Sequence, residues 1–432
     1  MRLRFSTYAA LVMGLVLVLL LSAAVLLGRE PGPSDRTVLT LRLWDPQIGA
    51  AYRKSLDAFT AANPDIEVRI DTVAYAGYFD SLRADVAGHS ADDVFWLNSS
   101  YLAPYADSGR LLPIEADPDW EPSVVGQFTR GGTLWGVPQL TDAGIALYYN
   151  RDLLAAAGVG PDDLADLRWG TDADTLRPLL ARLTVDTVGR SAADPGFDAG
   201  RTRTWGYNAA NDLQAINLNY LASAGGRLVT EDAFTFDSPA GRTAFGYLVA
   251  LINTDRVAPP ASATNNNGDF SRNQFLAGKM ALFQSGTYNL AMIAGSADFG
   301  WGIAPMPAGP QGRVSVTNGI VAAGNAATAH PEQVRRLLAW LGSAEANAYL
   351  GADGVAIPAV RSAQHGYLQY WAGRGVDVAP FFDVLAGPHA EVPAGAGVPA
   401  GLAAIKPFFD EMFLGRLPVD TALARAQAAT AR

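Results

Sequence analysis

The sequence predicts an α/β fold built on an open, mainly parallel sheet with helices on both faces. Three observations carry this reading. Short apolar runs alternate with segments of helical spacing from residue 38 onward, turn residues separate them, and a chain of 432 residues is long enough for two full cores. A charged fraction of 17% against 49% hydrophobic residues belongs to an ordinary globular protein.

Val38, Leu39, Leu41 and Leu43 form the first strand, which ends at Trp44, and Asp45, Pro46 and Gln47 follow as a loop. Tyr52, Leu56 and Phe59 recur at helical spacing until Asn63 and Pro64 stop the helix. Ile66, Val68 and Ile70 alternate with Glu67 and Arg69 in a second strand, Phe79, Leu82 and Val86 mark a second helix, and residues 94–97 form a third strand. The alternation continues with a strand over 145–149, a helix from Arg151 to a glycine stop at Gly158, and a helix within 172–183. Further helices are expected over 239–252, 331–350 and 407–414, and residues 194–204, 259–269 and 387–401 read as irregular.

The amino-terminus is an export signal. Arg2 and Arg4 precede an uncharged, largely apolar run over residues 5–28, closed by Arg29, Glu30, Pro31, Gly32 and Pro33. At roughly 20 residues the run is longer than a cleavable signal core and can span a bilayer of about 30 Å. An uncleaved anchor is the expectation, with cleavage near Ala24 the alternative. By the positive-inside rule, everything after Arg29 lies outside the cytoplasmic membrane. Residues 29–37 read as a linker.

The net charge of −10 lacks the basic footprint that nucleic acid requires. No cysteine is present, which removes disulfides, thiolate metal sites and lipid attachment through a cysteine. The acidic stretch over 186–198 lacks the alternating carboxylates of a calcium loop, so no metal and no cofactor are expected. The four histidines fall in no ligand spacing and beside no nucleophile motif, which argues against an enzyme. Paired carboxylates for glycoside hydrolysis stay open, because their separation is a three-dimensional quantity.

The strings FTAANPDIEVRI, DDVFWLN, YADSGRLLPI, LWGVPQ, LYYNRDLLAAAG, FLAGKMAL, GTYN, FGWGIAPMPAGP and PEQVRRLLAWL occur in that order along the chain. Together they resemble the family 1 extracellular solute-binding proteins, the group that includes maltose-binding protein. The resemblance implies a two-lobed clamp that captures a neutral sugar, oligosaccharide or polyol and delivers it to the permease of an ABC importer, acting as a monomer. It implies lobe one over 38–140 plus 299–345 and lobe two over 141–298 plus 346–426, with a first crossing near 139–145. The chain departs from the family in lacking a lipobox cysteine and in reading LRWGTDADT where a proline-threonine-tryptophan helix start is usual. A membrane-anchored sensor is the alternative of another class, and no signalling domain is evident on the cytoplasmic side.

A sugar presents apolar ring faces and a belt of hydroxyls, so its site needs flat aromatic surfaces and fixed hydrogen-bonding groups. Trp44 and Asp45 supply one of each directly after the first strand, with loop packing the alternative. Asn98 ends the third strand, where a polar residue has little packing use, whereas Trp96 reads as core. Gln139 and Asp142 flank the first crossing. Trp205 and Tyr207 lie near a strand end after a loop, and Tyr288 falls where the family stacks an aromatic on a sugar ring. Asn318 and Gly319 lie where the chain returns through lobe one, and a glycine there lets backbone approach a hydroxyl closely. Trp135 and Trp340 read as structural.

Overall fold

The computed structural model describes residues 36–431 except 143, 231 and 232, so the apolar run over 5–28 lies outside the described residues. In chain order the elements that build the site are β1 (Thr37–Leu43), α1 (Pro46–Ala62), β2 (Ile66–Thr72), α2 (Tyr75–Ala87), β3 (Val94–Asn98), α3 (Pro122–Phe128), β4 (Val137–Asp142), β5 (Ile145–Asn150), α4 (Leu176–Leu183), α5 (Pro239–Asn253), β6 (Leu282–Gly286), β7 (Trp301–Pro305), β8 (Ser315–Gly324), α6 (Pro331–Leu341), α7 (Ala344–Ala352), α8 (Gln364–Ala372), β9 (His389–Glu391), α9 (Val398–Phe413) and α10 (Val419–Thr430).

The first strands follow the apolar alternation: Leu39, Leu41 and Leu43 are buried on β1. Helix α1 starts where Asp45 caps it, its Oδ1 accepting from the backbone N–H of Gln47 (2.8 Å) and Ile48 (3.1 Å), with Pro46 in the first turn. Asn63 ends it, as Pro64 requires. The sheet of lobe one runs β2-β1-β3-β8, with β4 on the far side of β8. Leu41 pairs in parallel with Ile70 and Val94, whereas β8 runs antiparallel to both β3 and β4.

Lobe two holds a three-stranded sheet, β6-β5-β7, in which both neighbours run antiparallel to β5. This differs from the mainly parallel sheet expected. Strand β5 comes straight out of β4, and the long helical excursions that lead to β6 and β7 return at its far end. The two-residue period of β5 divides lobe two. Ile145, Leu147 and Tyr149 join the core around α4, α5, α9 and α10, while Ala146 and Tyr148 join a second core with Phe275, Phe283, Trp371 and Phe381.

The expected lobe boundaries shift in two places. Residues 299–305 stay in lobe two because β7 pairs with β5, and the chain re-enters lobe one only along β8, where Val316 packs with lobe two and Val321 with lobe one. Most of residues 346–363 belongs to lobe one, where Leu350, Ala359, Val360 and Ala363 join the core of the first sheet, while Ile357 and, on α8, Tyr367 and Trp371 pack in lobe two. The helix expected over 331–350 breaks at Gly342, and Ser343 caps the second piece by accepting from the N–H of Ala346 (3.1 Å). The last expected helix begins earlier, at Val398.

Gly319 is set by packing rather than by a ligand's approach. Helix α3 lies so close to β8 that a β-carbon on Gly319 would meet Val124 Cγ1 at 2.7 Å, and the Gly319 N–H donates to Gln127 Oε1 (3.0 Å). Gly319→Ala is therefore expected to lower stability by about 1–3 kcal/mol through overpacking. Denaturant unfolding would check this, and an unchanged midpoint would show that α3 yields freely.

Candidate functional site

The strand register collects the first group of polar residues. Ile320 of β8 pairs with Asn98, and Asn318, two residues earlier, pairs with Asp142. Alternation therefore puts Asn98, Asn318 and Asp142 on one face of the sheet, opposite the face that Gly319 turns to α3. Asn98 and Asn318 are each 7% exposed, and among the described residues the Oδ1 of each has no hydrogen-bond partner.

Aromatic rings from lobe one stand over this floor. Trp44 meets Tyr75 (5.6 Å), Tyr78 (4.9 Å) and Trp96 (4.9 Å) edge to face, and Phe79 stacks on Tyr101 at 3.6 Å. Tyr78 is locked beneath them, its hydroxyl donating to the carbonyl of Trp96 (3.0 Å). Tyr75 opens α2 and is 56% exposed.

Lobe two answers with the end of β6 and the loop before a single π-helical turn over Leu213–Asn217, an element frequent at functional sites. Tyr288, 42% exposed, folds its ring over Gly286. Gln214 Nε2 donates to Asp142 Oδ2 (3.0 Å), tying this loop to the crossing, and Thr287 also hydrogen-bonds Asp142. Asp212 accepts from the N–H of Ala215 (2.8 Å).

These groups lie close enough for the charge of one to act on the next. Burial pushes the Tyr75 phenol up to about 12, with Tyr101, Asp212 and Asp142 adding to the rise while the Asn98 amide opposes it. Burial likewise raises the Tyr288 phenol, again with the charges of Asp212 and Asp142. Burial raises Asp142 to about 6 against the hydrogen bonds of Gln214 and Thr287, and it raises Asp212 against its backbone donors.

Trp44, Asn98, Asp142, Tyr288 and Asn318 thus gather at the cleft. Asp45 adjoins it but spends Oδ1 on capping α1. Gln139 is fully buried, accepting from the Tyr52 hydroxyl (2.6 Å) and donating to the carbonyl of Leu341 (3.0 Å). Tyr207 is a core residue and not a cleft residue: it is fully buried, its hydroxyl donates to Gln284 Oε1 (2.6 Å) and it accepts from Tyr220 (3.1 Å). Trp205 pairs with Met280, at the end of β6 remote from Gly286, about 20 Å away by strand rise. Its chain runs on beside β6, with Asn208 bonded to the backbone of Gln284, and reaches the cleft only at residues 212–214.

Sequence reasoning missed Tyr75, Asp212 and Gln214. For Tyr75 a signal existed, since the stripe of Tyr78, Phe79 and Leu82 extends one turn ahead of the buried residues to reach it. For Gln214 no local signal exists, because its partner lies in the other lobe.

A profile of the family described as bacterial extracellular solute-binding proteins matches residues 44–348. The chain belongs to this family. The family is described by the binding of a solute, not by a reaction. The chain is similar to UspC of M. tuberculosis, with 65% identity, coverage of 91% of this chain and 99% of that one, and a TM-score of 0.77. An ABC substrate-binding protein of Listeria monocytogenes in complex with cycloalternan shares the fold at a TM-score of 0.78 and 20% identity, covering 92% of this chain and 98% of the other. A lipoprotein of Streptomyces antibioticus is 28% identical over 326 residues, 69% of this chain and 65% of that one, and a lactose-binding protein of Rhizobium radiobacter is 25% identical over 238 residues, 53% and 52% respectively. The chain spans 65% of the length of the Streptomyces relative and 52% of that of the Rhizobium one. Among the described residues no helix is long and apolar enough to cross a membrane.

Asp142 gives the solute-binding protein a pH-dependent stability. Its carboxyl ionises at about 6 in the folded protein and at about 4 in the unfolded chain, so the folded state favours the protonated form. The penalty for ionised Asp142 is absent below about pH 4, grows between the two values and is complete above about pH 6, where it reaches on the order of 1–3 kcal/mol. Asp142→Asn should raise the melting temperature at pH 7.5 and change it little at pH 4. Equal shifts at both would show that the carboxyl titrates normally.

Proposed function

We propose that the protein captures a carbohydrate in the interlobe cleft and delivers it, as a monomer, to the permease of an ABC importer. The observation that carries this reading is the pairing of two exposed rings, Tyr75 from lobe one and Tyr288 from lobe two, around the unpartnered amide oxygens of Asn98 and Asn318. Flat rings suit the apolar faces of a pyranose, and fixed acceptors suit its hydroxyls. The relatives support it: one is a lactose-binding protein, and solved neighbours hold cycloalternan, tagatose and maltose. A solute touching both rings binds the closed clamp better than the open one, and so draws the lobes together.

A polypeptide anchor over residues 5–28 is part of the same proposal. It would hold the clamp at the outer face of the membrane, the place a lipobox cysteine serves in other members. Membrane fractionation of the full chain against one starting at Pro31 tests it, with membrane association expected only for the full chain. Equal solubility of the two, or an amino-terminus found near Ala24, removes the anchor.

Calorimetry with a panel of sugars, polyamines and phosphate tests the ligand class. A tightly bound polyamine with no response to any sugar overturns the carbohydrate reading. Truncating a central aromatic contact costs about 2 kcal/mol or more, so Tyr75→Ala and Tyr288→Ala should each weaken sugar binding roughly 30-fold. Trp205→Ala should leave affinity unchanged, because its ring lies at the remote end of β6. Small-angle scattering should show compaction on saturation with the same sugar. Wild-type affinity in both tyrosine variants, with no compaction, would misplace the site.

A further inference from the structure

We infer that Asp142 and Asp212 together form an anion filter in the cleft, selecting against sugars that carry a carboxylate or phosphate. The inference rests on the carbohydrate reading above and adds the charge class of the solute and the residues that set it.

Two partly buried acids elsewhere in this protein are neutralised by arginine. In lobe one Asp92 meets Arg42 at 2.5 Å, and in lobe two Asp255 meets Arg177 at 2.9 Å. Asp142 and Asp212 differ: among the described residues neither forms an ion pair, and the partners of Asp142 are the neutral side chains of Gln214 and Thr287. Among the described residues Asp212 is held by the backbone N–H groups of Ala215 and Gln214. Asp142 shares the sheet face of Asn98 and Asn318, and Asp212 lies two residues before Gln214, whose amide hydrogen-bonds Asp142, so both carboxylates sit beside the space a solute would occupy.

The hydrogen-bond inventory points the same way. Ionised carboxylates only accept, and the buried Oδ1 atoms of Asn98 and Asn318 are acceptors without partners. Sugar hydroxyls can donate to all of them. A carboxylate or phosphate on the sugar offers further acceptors and negative charge, with no cation among these residues to receive it. The aromatic walls of Trp44, Tyr75 and Tyr288 keep the effective dielectric low and concentrate the field. Two carboxylates several ångströms from an added negative charge should disfavour it by about tenfold or more.

The filter can be read without knowing the sugar. The fluorescence of Trp44, taken as the difference between the protein and its Trp44→Phe variant, is titrated with iodide and with neutral acrylamide at constant ionic strength. The double variant Asp142→Asn, Asp212→Asn keeps the size of both side chains, and asparagine keeps the cap that Asp212 provides. Its iodide quenching constant should rise threefold or more while the acrylamide constant stays the same. An iodide constant equal in the two proteins overturns the filter, and so does a Trp44 signal that acrylamide fails to reach. Calorimetry with glucose, galactose, maltose and lactose beside glucuronate, galacturonate and glucose 6-phosphate separates the two readings. If no neutral sugar binds, the carbohydrate reading is weakened while the quenching result stands, whereas a charged sugar that binds as tightly as its neutral counterpart overturns the filter itself.

Discussion

Strand β8 belongs to both lobes, and the site depends on that sharing. Its first residues pair with β9 and place Val316 in the core of lobe two, while its last residues pair with β3 and β4 in lobe one. The neighbouring crossing is tied to it, because the N–H of Ile145 donates to Ser315 Oγ (2.8 Å) where β5 begins. A one-residue slip of β8 would turn Asn318 to the helix side and Gly319 to the cleft. Such a slip is opposed by Val124, which leaves room for glycine alone at position 319. The close packing of α3 therefore fixes the register that brings Asn98, Asn318 and Asp142 together.

Lobe one contains two treatments of buried charge, with different consequences. Arg42 is surrounded by Asp92 (2.5 Å), Asp85 (2.7 Å) and Asp71 (3.5 Å), which come from the segment before β3, from α2 and from the end of β2. This network joins three elements to β1, and α2 is the helix that carries Tyr75. Breaking one side of such a network leaves a buried charge uncompensated, so it fixes geometry more than it adds net stability. Among the described residues Asp142 has no cation beside it, and burial works against its charge. The first arrangement holds the aromatic wall in place; the second keeps acceptors available at the floor of the cleft.

Much of the fold was legible because its signals are local. The leucine alternation of β1, the Asn63–Pro64 stop of α1 and the run of β3 each predict an element within a residue or two of its observed ends. Asn98 was legible as a polar residue ending an apolar strand, and Asp142 as a residue flanking the first crossing. The errors share a nonlocal origin. Trp205 and Tyr207 belong to a chain segment that does lead to the cleft, yet which end of that segment faces the ligand depends on its register beside β6. The boundary near residue 299 failed because β7 is recruited by β5, about 150 residues earlier in the chain, and nothing within its own sequence marks that pairing. Asp45 looked like a ligand contact because a helix cap and a sugar acceptor call for the same residue type at the same place after a strand.

The unpartnered amide oxygens connect this geometry to the clamp's motion. A buried acceptor left without a donor carries a desolvation penalty, and in the open cleft water can relieve it. Closing the lobes on an empty cleft would remove that water and leave Asn98, Asn318 and the cleft carboxylates short of donors. On the proposed reading, a sugar would supply hydroxyl donors to the same atoms and ring faces to Tyr75 and Tyr288 together, so that the closed form becomes favourable only when occupied. Closure is then governed by the difference in satisfaction between the two states, since a solute that contacted one lobe alone would bind open and closed forms equally and shift nothing.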